Sequence, residues 1–373
     1  MDNNLDFALL FDQVILDYDW KKTLPQDCTY HSIYVFEESF PELDNVQIAL
    51  FSIDDNRGTK NNVLETSAVR KQLYKLKKSN VSYQVADLGC LRPGPNYADT
   101  ILRFNEVFRF LIQKGILPII INSSQDFVFQ SYKTMVDENL SEKINIALID
   151  RKLDLDNKSF ADENFVNELI NYPSNGLKRL KLLAYQSYLV SPDIKTVFDK
   201  LSFEEIRLGA LKKDILSAEP ILRNCHIISM DASAIKSNEF PANATHSPFG
   251  LTVEEACQLT WFSGVSNSLK CFIFSGYREE EDLNELSAHG LAVQIWYVIE
   301  GFYARVKEDL SNDVTAFIVE NSFLSEPITF VRSKKSEKWW VKIKNEFIPC
   351  SLKDYQQTQA GVLPDVWMRE EWR

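Results

Sequence analysis

Apolar runs of strand length alternate with longer amphipathic stretches through most of this chain, and that alternation limits the folds open to it. Val46 to Ile53 (VQIALFSI) reads as a buried strand, and Ser67 to Lys78 then spaces Val69, Leu73 and Leu76 for one helical face. Val81 to Leu88 predicts the next strand. Tyr97 to Lys114 predicts a helix carrying Ile101, Val107, Phe108 and Leu111, with Gly115 as its stop. The pattern continues with a strand at 117–121, a helix at 125–139, a strand at 144–150, a short strand within 178–188 and a strand at 225–230. It closes with a helix at 253–263, a strand at 270–274 and a long helix at 288–306. Repeated β-then-α units predict a three-layer α/β fold: a mostly parallel sheet with helices on both faces. Ligands in such sheets bind beyond the carboxyl ends of the strands, so the residues after each apolar run are the informative ones.

Two segments fall outside the alternation. Residues 1–45 precede the first clear strand and are expected to form an N-terminal extension to an α/β domain at 46–314. Residues 315–373 are expected to form a C-terminal β-rich extension, with short strands at 315–320, 328–332 and 339–343. The aromatics of that tail suit packing on the domain's own surface as well as contact with a protein partner.

Composition narrows the function. A formal net charge of −12 argues against a nucleic-acid partner, which needs clustered Lys and Arg. The one basic run, Lys334-Lys335-Ser336-Glu337-Lys338, is short and interrupted, and reads as a solvated turn. No apolar run approaches the roughly 20 residues of a membrane span. The acidic start, Met1-Asp2-Asn3-Asn4-Leu5-Asp6, is unlike a secretory signal, so a cytoplasmic location is expected. The six cysteines (28, 90, 225, 257, 271 and 350) are scattered without a C-x-x-C pair and read as buried small hydrophobes. No G-x-S-x-G, Walker loop or G-x-G-x-x-G is present.

Three strand ends carry the functional evidence: Asn122-Ser123-Ser124-Gln125-Asp126, Asp150-Arg151-Lys152-Leu153-Asp154 and Ser229-Met230-Asp231-Ala232-Ser233. In order and spacing, over roughly residues 46–310, they resemble the arginase/formimidoylglutamase (ureohydrolase) family. That family carries G-G-x-H, D-A-H-x-D and S-x-D-x-D at these places. Further landmarks are similar. Ile53-Asp54-Asp55-Asn56-Arg57-Gly58 resembles P-E-D-x-G, and Asp87-Leu88-Gly89 resembles D-x-G. Ser247 to Leu251 with Glu254-Glu255-Ala256 resembles G-G-L-x-x-R-E, and Asp282 with Leu286 to Ala292 resembles D-x-x-x-x-T-A-x-L-A.

The resemblance implies a three-layer ureohydrolase fold and a site where two His and four Asp hold a pair of Mn²⁺ ions. Those ions activate a hydroxide against a guanidinium or formimino carbon. It also implies which positions have changed. Asp150, Asp154 and Asp231 keep the family residue, whereas Gln125 and Lys152 stand where the family has His, and Ser233 where it has Asp. Gly276-Tyr277-Arg278-Glu279 falls on the family's E-V-N-P, so the substrate-holding Glu is Gly276. The only histidines are His31, His226, His246 and His289, none at a ligand position.

Lys has no lone pair to offer a metal and repels it; Gln offers one neutral oxygen. The expectation is therefore a vestigial site at Gln125, Asp150, Lys152, Asp154, Asp231 and Ser233, with Asp126, His246 and Gly276 nearby and no catalytic residues. No cofactor is expected, and the Lys152 ammonium would stand in for the lost metal charge. Taken singly, each of these aspartates also suits a turn or helix cap. Three functions remain open: a pseudoenzyme used as a binding or assembly module, through the terminal extensions or as a homo-oligomer; an active amidine hydrolase holding one hard cation on Asp150, Asp154 and Asp231; and a metal-free small-molecule sensor.

Overall fold

The computed structural model describes residues 7–59, 66–79, 81–141, 143–153, 155, 160–201, 203–243, 245–320 and 326–371. The N-terminal segment contributes β1 (Phe11–Asp12), α1 (Tyr18–Lys22) and β2 (Ile33–Val35). The alternation then begins with β3 (Ile48–Ile53), α2 (Ser67–Lys75), β4 (Val85–Leu91), α3 (Tyr97–Gln113), β5 (Leu117–Ser123), α4 (Phe127–Asp137) and β6 (Ile144–Ile149). It continues through α5 (Phe165–Asn171), β7 (Leu177–Tyr185), α6 (Pro192–Lys200), β8 (Glu204–Arg207), α7 (Leu208–Lys213) and α8 (Ala218–Leu222). β9 (Ile227–Asp231), α9 (Val253–Gly264), β10 (Cys271–Ser275) and α10 (Leu286–Tyr303) complete it.

These strands form one ten-stranded sheet in the order β1-β4-β3-β5-β10-β9-β6-β7-β8, with β2 also on β4. Every pairing is parallel except β1 on β4. Side-chain alternation explains burial on both faces. Ile48 and Leu50 of β3, Ile119 and Ile121 of β5, and Phe272 and Phe274 of β10 enter one core. Ala49, Phe51 and Ile53, then Ile120, then Cys271 and Ile273 enter the other. Helices α2 and α7 to α10 cover the first face, and α3 to α6 the second. This is the three-layer α/β architecture expected from the alternation.

Residues 1–45 are not simply appended to the domain. β1 pairs with Cys90 and Leu91 and β2 with Val85 to Asp87, so together they cover the outer edge of β4. Covering an edge in this way removes a template for unwanted strand pairing. The short strand expected within 178–188 is a nine-residue strand, β7. From Val314 the chain builds a separate four-stranded antiparallel sheet: β11 (Val314–Val319), β12 (Ile328–Ser333), β13 (Trp339–Ile343) and β14 (Glu346–Cys350). α11 (Leu352–Gln359) and α12 (Asp365–Glu371) follow, and Tyr355, Val366 and Trp367 pack on that sheet's own small core.

The small sheet docks at the amino ends of the parallel strands. The Arg223 guanidinium, just past α8, donates to the carbonyls of Trp339 and Cys350 at 3.0 and 3.3 Å and lies 4.5 Å from the Trp340 ring centroid. Arg179 of β7 donates to the Arg369 carbonyl of α12 at 2.8 Å. The opposite, carboxyl edge is the one that carries the strand-end motifs.

Candidate functional site

At the end of β5 the chain stays buried from Asn122 to Asp126. The Asn122 amide donates to the Tyr277 carbonyl at 3.0 Å and accepts from the Tyr277 N–H at 3.4 Å, tying this end to the loop after β10. Gln125 then donates from Nε2 to Oδ2 of Asp150, at the end of β6, over 2.9 Å. An ionised carboxylate only accepts hydrogen bonds, so the amide must present its N–H₂ to it. The other Asp150 oxygen receives the Lys152 backbone N–H at 3.1 Å and the Ser233 hydroxyl at 3.5 Å. Asp231, ending β9, accepts from the Ser233 N–H at 2.9 Å through Oδ1 and from the Ser275 hydroxyl at 2.8 Å through Oδ2.

Gln125, Asp150, Asp231 and Ser233 therefore share one hydrogen-bonded cluster across the ends of β5, β6 and β9. Asp150 and Asp231 each also fold their own turn by accepting an N–H two residues on. Asp154 lies outside the described residues.

Gly276 forms a wall of the cluster. Its φ is +79°, and a Cβ there would stand 2.9 Å from Oδ2 of Asp231. Glycine satisfies both the left-handed backbone and the space that Asp231 occupies.

Asp126 is enclosed rather than open to a pocket. Tyr97 donates its phenol to both carboxylate oxygens at 2.9 and 2.7 Å, and the Ser124 hydroxyl donates as well. Burial pushes the Asp126 carboxyl up to about 6, against the pull of the two hydroxyls. Tyr97 reaches it across Gly58, where any Cβ would collide with the phenol oxygen. Asp162, in the turn before α5, is a further carboxyl that the strand-end motifs did not indicate. Burial pushes it up to about 6 and the Asp126 charge adds to the rise; Thr59 and the Lys152 ammonium oppose it. The Lys152 backbone N–H serves Asp150.

His246 is exposed, with φ +43° and its Nε2 3.6 Å from Glu281, away from the carboxylate cluster's contacts. His289 lies on α10, on the wall of a groove of about 1280 Å³ between α9 and α10 that none of the strand-end residues line. Asp282 accepts the N–H groups of Ser287 and Ala288 at 3.1 and 2.7 Å and so caps α10. Asp87 takes a bidentate ion pair from Arg70 and the Tyr74 phenol, all buried.

The donor set suits a Mn²⁺ pair poorly. Both Asp150 oxygens and both Asp231 oxygens are already engaged by protein donors. The intervening side chains are an amide and a hydroxyl, and Lys152 cannot ligate. Among the described residues, no group of three or more His, Cys, Asp or Glu is placed to hold a metal ion. None of their helices is long and apolar enough to cross a membrane.

A mostly parallel three-layer sheet with its polar cluster at three carboxyl ends defines an arginase-like α/β protein, and the chain has that fold. Among solved structures it is similar to Trypanosoma cruzi formiminoglutamase with Mn²⁺, with a TM-score of 0.65 at 15% identity over 72% of this chain and 97% of that one. It is also similar to formimidoylglutamase from Bacillus subtilis, with a TM-score of 0.66 at 12% identity over 82% and 100%. The arginase of Bacillus caldovelox aligns with a TM-score of 0.57 at 12% identity over 68% and 98%. By sequence alone, no family profile and no curated protein matches the chain.

Proposed function

We propose that this protein is a ureohydrolase-family scaffold that has lost binuclear Mn²⁺-dependent C–N hydrolysis and serves as a binding or assembly module. One observation carries the reading: Gln125 and Ser233, at two former ligand positions, hydrogen-bond to Asp150, a third. Protein donors take the place of cations there. Without a metal-bound hydroxide, water is a poor nucleophile at neutral pH, and among the described residues the cluster has no alternative base beside a group that would polarise an amidine carbon. The substitution of Gly for the family's substrate-holding Glu at position 276 points the same way.

The test pairs a loss with a gain. The wild-type chain releases no urea from arginine or agmatine and no formamide from N-formimino-glutamate above background, with or without added Mn²⁺. The triple variant Gln125→His, Lys152→His, Ser233→Asp gains Mn²⁺ affinity on the same backbone. Metal-dependent turnover by the wild type would establish an active amidine hydrolase instead. A triple variant that folds yet binds no more Mn²⁺ than wild type would refute a common ancestral metal site.

A further inference from the structure

The outer strands of a sheet leave N–H and C=O groups open to another strand, and proteins blunt them with brevity, charge, proline or a covering element. The edges of the parallel sheet are blunted in this way. β1 and β2 are two and three residues long. In β8 only Ile206 is uncharged, and Arg369 of α12 meets Glu204. On one side of the small sheet, β14 carries Glu346 and Pro349, and Arg223 takes its Cys350 carbonyl at 3.3 Å.

β11, on the other side, has none of these devices. Val314-Thr315-Ala316-Phe317-Ile318-Val319 contains no charge and no proline, and it pairs with β12 along its whole length without a bulge. Thr315, Ala316 and Ile318 are exposed, Ile318 to 70%. The ladder fixes which backbone groups are left over. Lys334 donates its N–H to the Asp313 carbonyl at 3.0 Å, and Ser333 turns the other way to donate to the Lys338 carbonyl at 3.0 Å. Bonding direction alternates along a strand, so Thr315, Phe317 and Val319 bond β12, while Val314, Ala316 and Ile318 turn their N–H and C=O outward. Among the described residues, nothing bonds those outward groups.

The outward residues are symmetric about Ala316. Two copies of β11 laid antiparallel across a two-fold axis oppose Ala316 to Ala316 and Val314 to Ile318, each opposed pair exchanging two N–H···O bonds. On the face where Phe317 already packs on Tyr355, Phe317 of one copy meets Thr315 of the other. Apolar, β-branched and aromatic pairs of this kind stabilise a sheet. No like charges meet in that register: Asp313 opposes Val319 and Glu320 opposes Asn312. Lys335, 3.3 Å away, already answers the Asp313 charge.

We infer that β11 is a homodimer interface, at which two copies of this chain join their four-stranded sheets into one continuous antiparallel sheet. The occupant is a second copy because the strand complements itself in backbone, side chains and charge. Pairing consumes the open edge of both copies, so it closes at two. The interface lies in the C-terminal extension and does not depend on whether the strand-end cluster is active.

The oligomeric state of the full chain in solution tests this. In sedimentation at micromolar concentration the wild type is expected near twice the 43.1 kDa of one chain. Ala316→Pro removes only an outward N–H and keeps the bonds to β12, and edge strands tolerate proline at such positions. Ala316→Lys sets two ammonium groups face to face. Each variant is expected to raise the dimer dissociation constant at least about tenfold while keeping the circular-dichroism spectrum of a folded chain. Ala316→Cys is expected to form a covalent dimer on oxidation, because hydrogen-bonded antiparallel partners place their Cα atoms about 5.5 Å apart, within disulfide reach. A wild-type chain that stays monomeric overturns the inference. So does a dimer that both Ala316→Pro and Ala316→Lys leave intact, or an Ala316→Cys chain that does not cross-link.

Discussion

Asp87 and Arg70 form a bidentate ion pair closed off from solvent, with Tyr74 completing the shell. Removing one partner of such a pair leaves a buried charge without compensation. Asp87→Ala is therefore expected to lower unfolding stability by roughly 3–5 kcal/mol, read by urea denaturation. The sequence marked Asp87 through its D-x-G neighbourhood. It did not mark Arg70, which lies between the apolar positions Val69 and Leu73 and looks like a surface residue of α2. At the candidate site the same division holds. Gln125, Asp150, Asp231 and Ser233 were legible because each follows an apolar run at an ordered spacing. Ser275, which reaches Asp231, and Tyr97 and Asp162, which meet Asp126, were not, because they come from a strand, a helix and a turn that no motif links to these positions. His226 adds a pH dependence. Its folded pKa lies near 4, below the usual value of 6.5, so its contribution to stability is present above pH 6.5 and is lost as pH falls toward 4. The loss is on the order of 3 kcal/mol. His226→Asn, which keeps an acceptor but does not titrate, should show a shallower fall in stability between pH 7 and pH 4.

Elements were legible where apolar periodicity was clean and obscure where charges are buried. β7 illustrates the second case. Its sequence, LKRLKLLAY, suggested only a short strand, yet the strand spans nine residues, because tertiary partners satisfy the cations. Lys181 donates to the Ile221 carbonyl at 2.9 Å and to Asn224 at 2.5 Å; Arg179 donates to the carbonyl of Arg369. The polar unit α6, β8 and α7 escaped for a related reason: β8 is an edge strand with no fully buried residue, so its pattern resembles a loop. Arg369 also stands 3.4 Å from Glu204 of β8, whose carboxyl it helps Lys181 hold below the usual range against burial. α12 is thus a clamp on the amino end of β7 and β8. Deleting residues 365–373 is expected to lower the thermal midpoint by several degrees, and Arg369→Ala by less, measured by circular dichroism. An unchanged midpoint after deletion would mean the clamp contributes nothing.

At the scale of the molecule, the two edges of the parallel sheet have different fates. The carboxyl edge carries side chains from three strand ends that hydrogen-bond to one another. The amino edge carries a sheet that the periodic pattern announced only as three short strands, with β14 and two helices added by the structure. Gly276→Ala would strain a left-handed backbone and crowd Asp231, at a cost of about 1–3 kcal/mol. The proposal that the dinuclear centre is gone is tested most directly by metal content. The purified chain is incubated with Mn²⁺, desalted and submitted to elemental analysis beside the triple variant. Far less than two equivalents should remain on the wild-type chain, with more on the variant. Two tightly held ions per wild-type chain would contradict the loss of the centre.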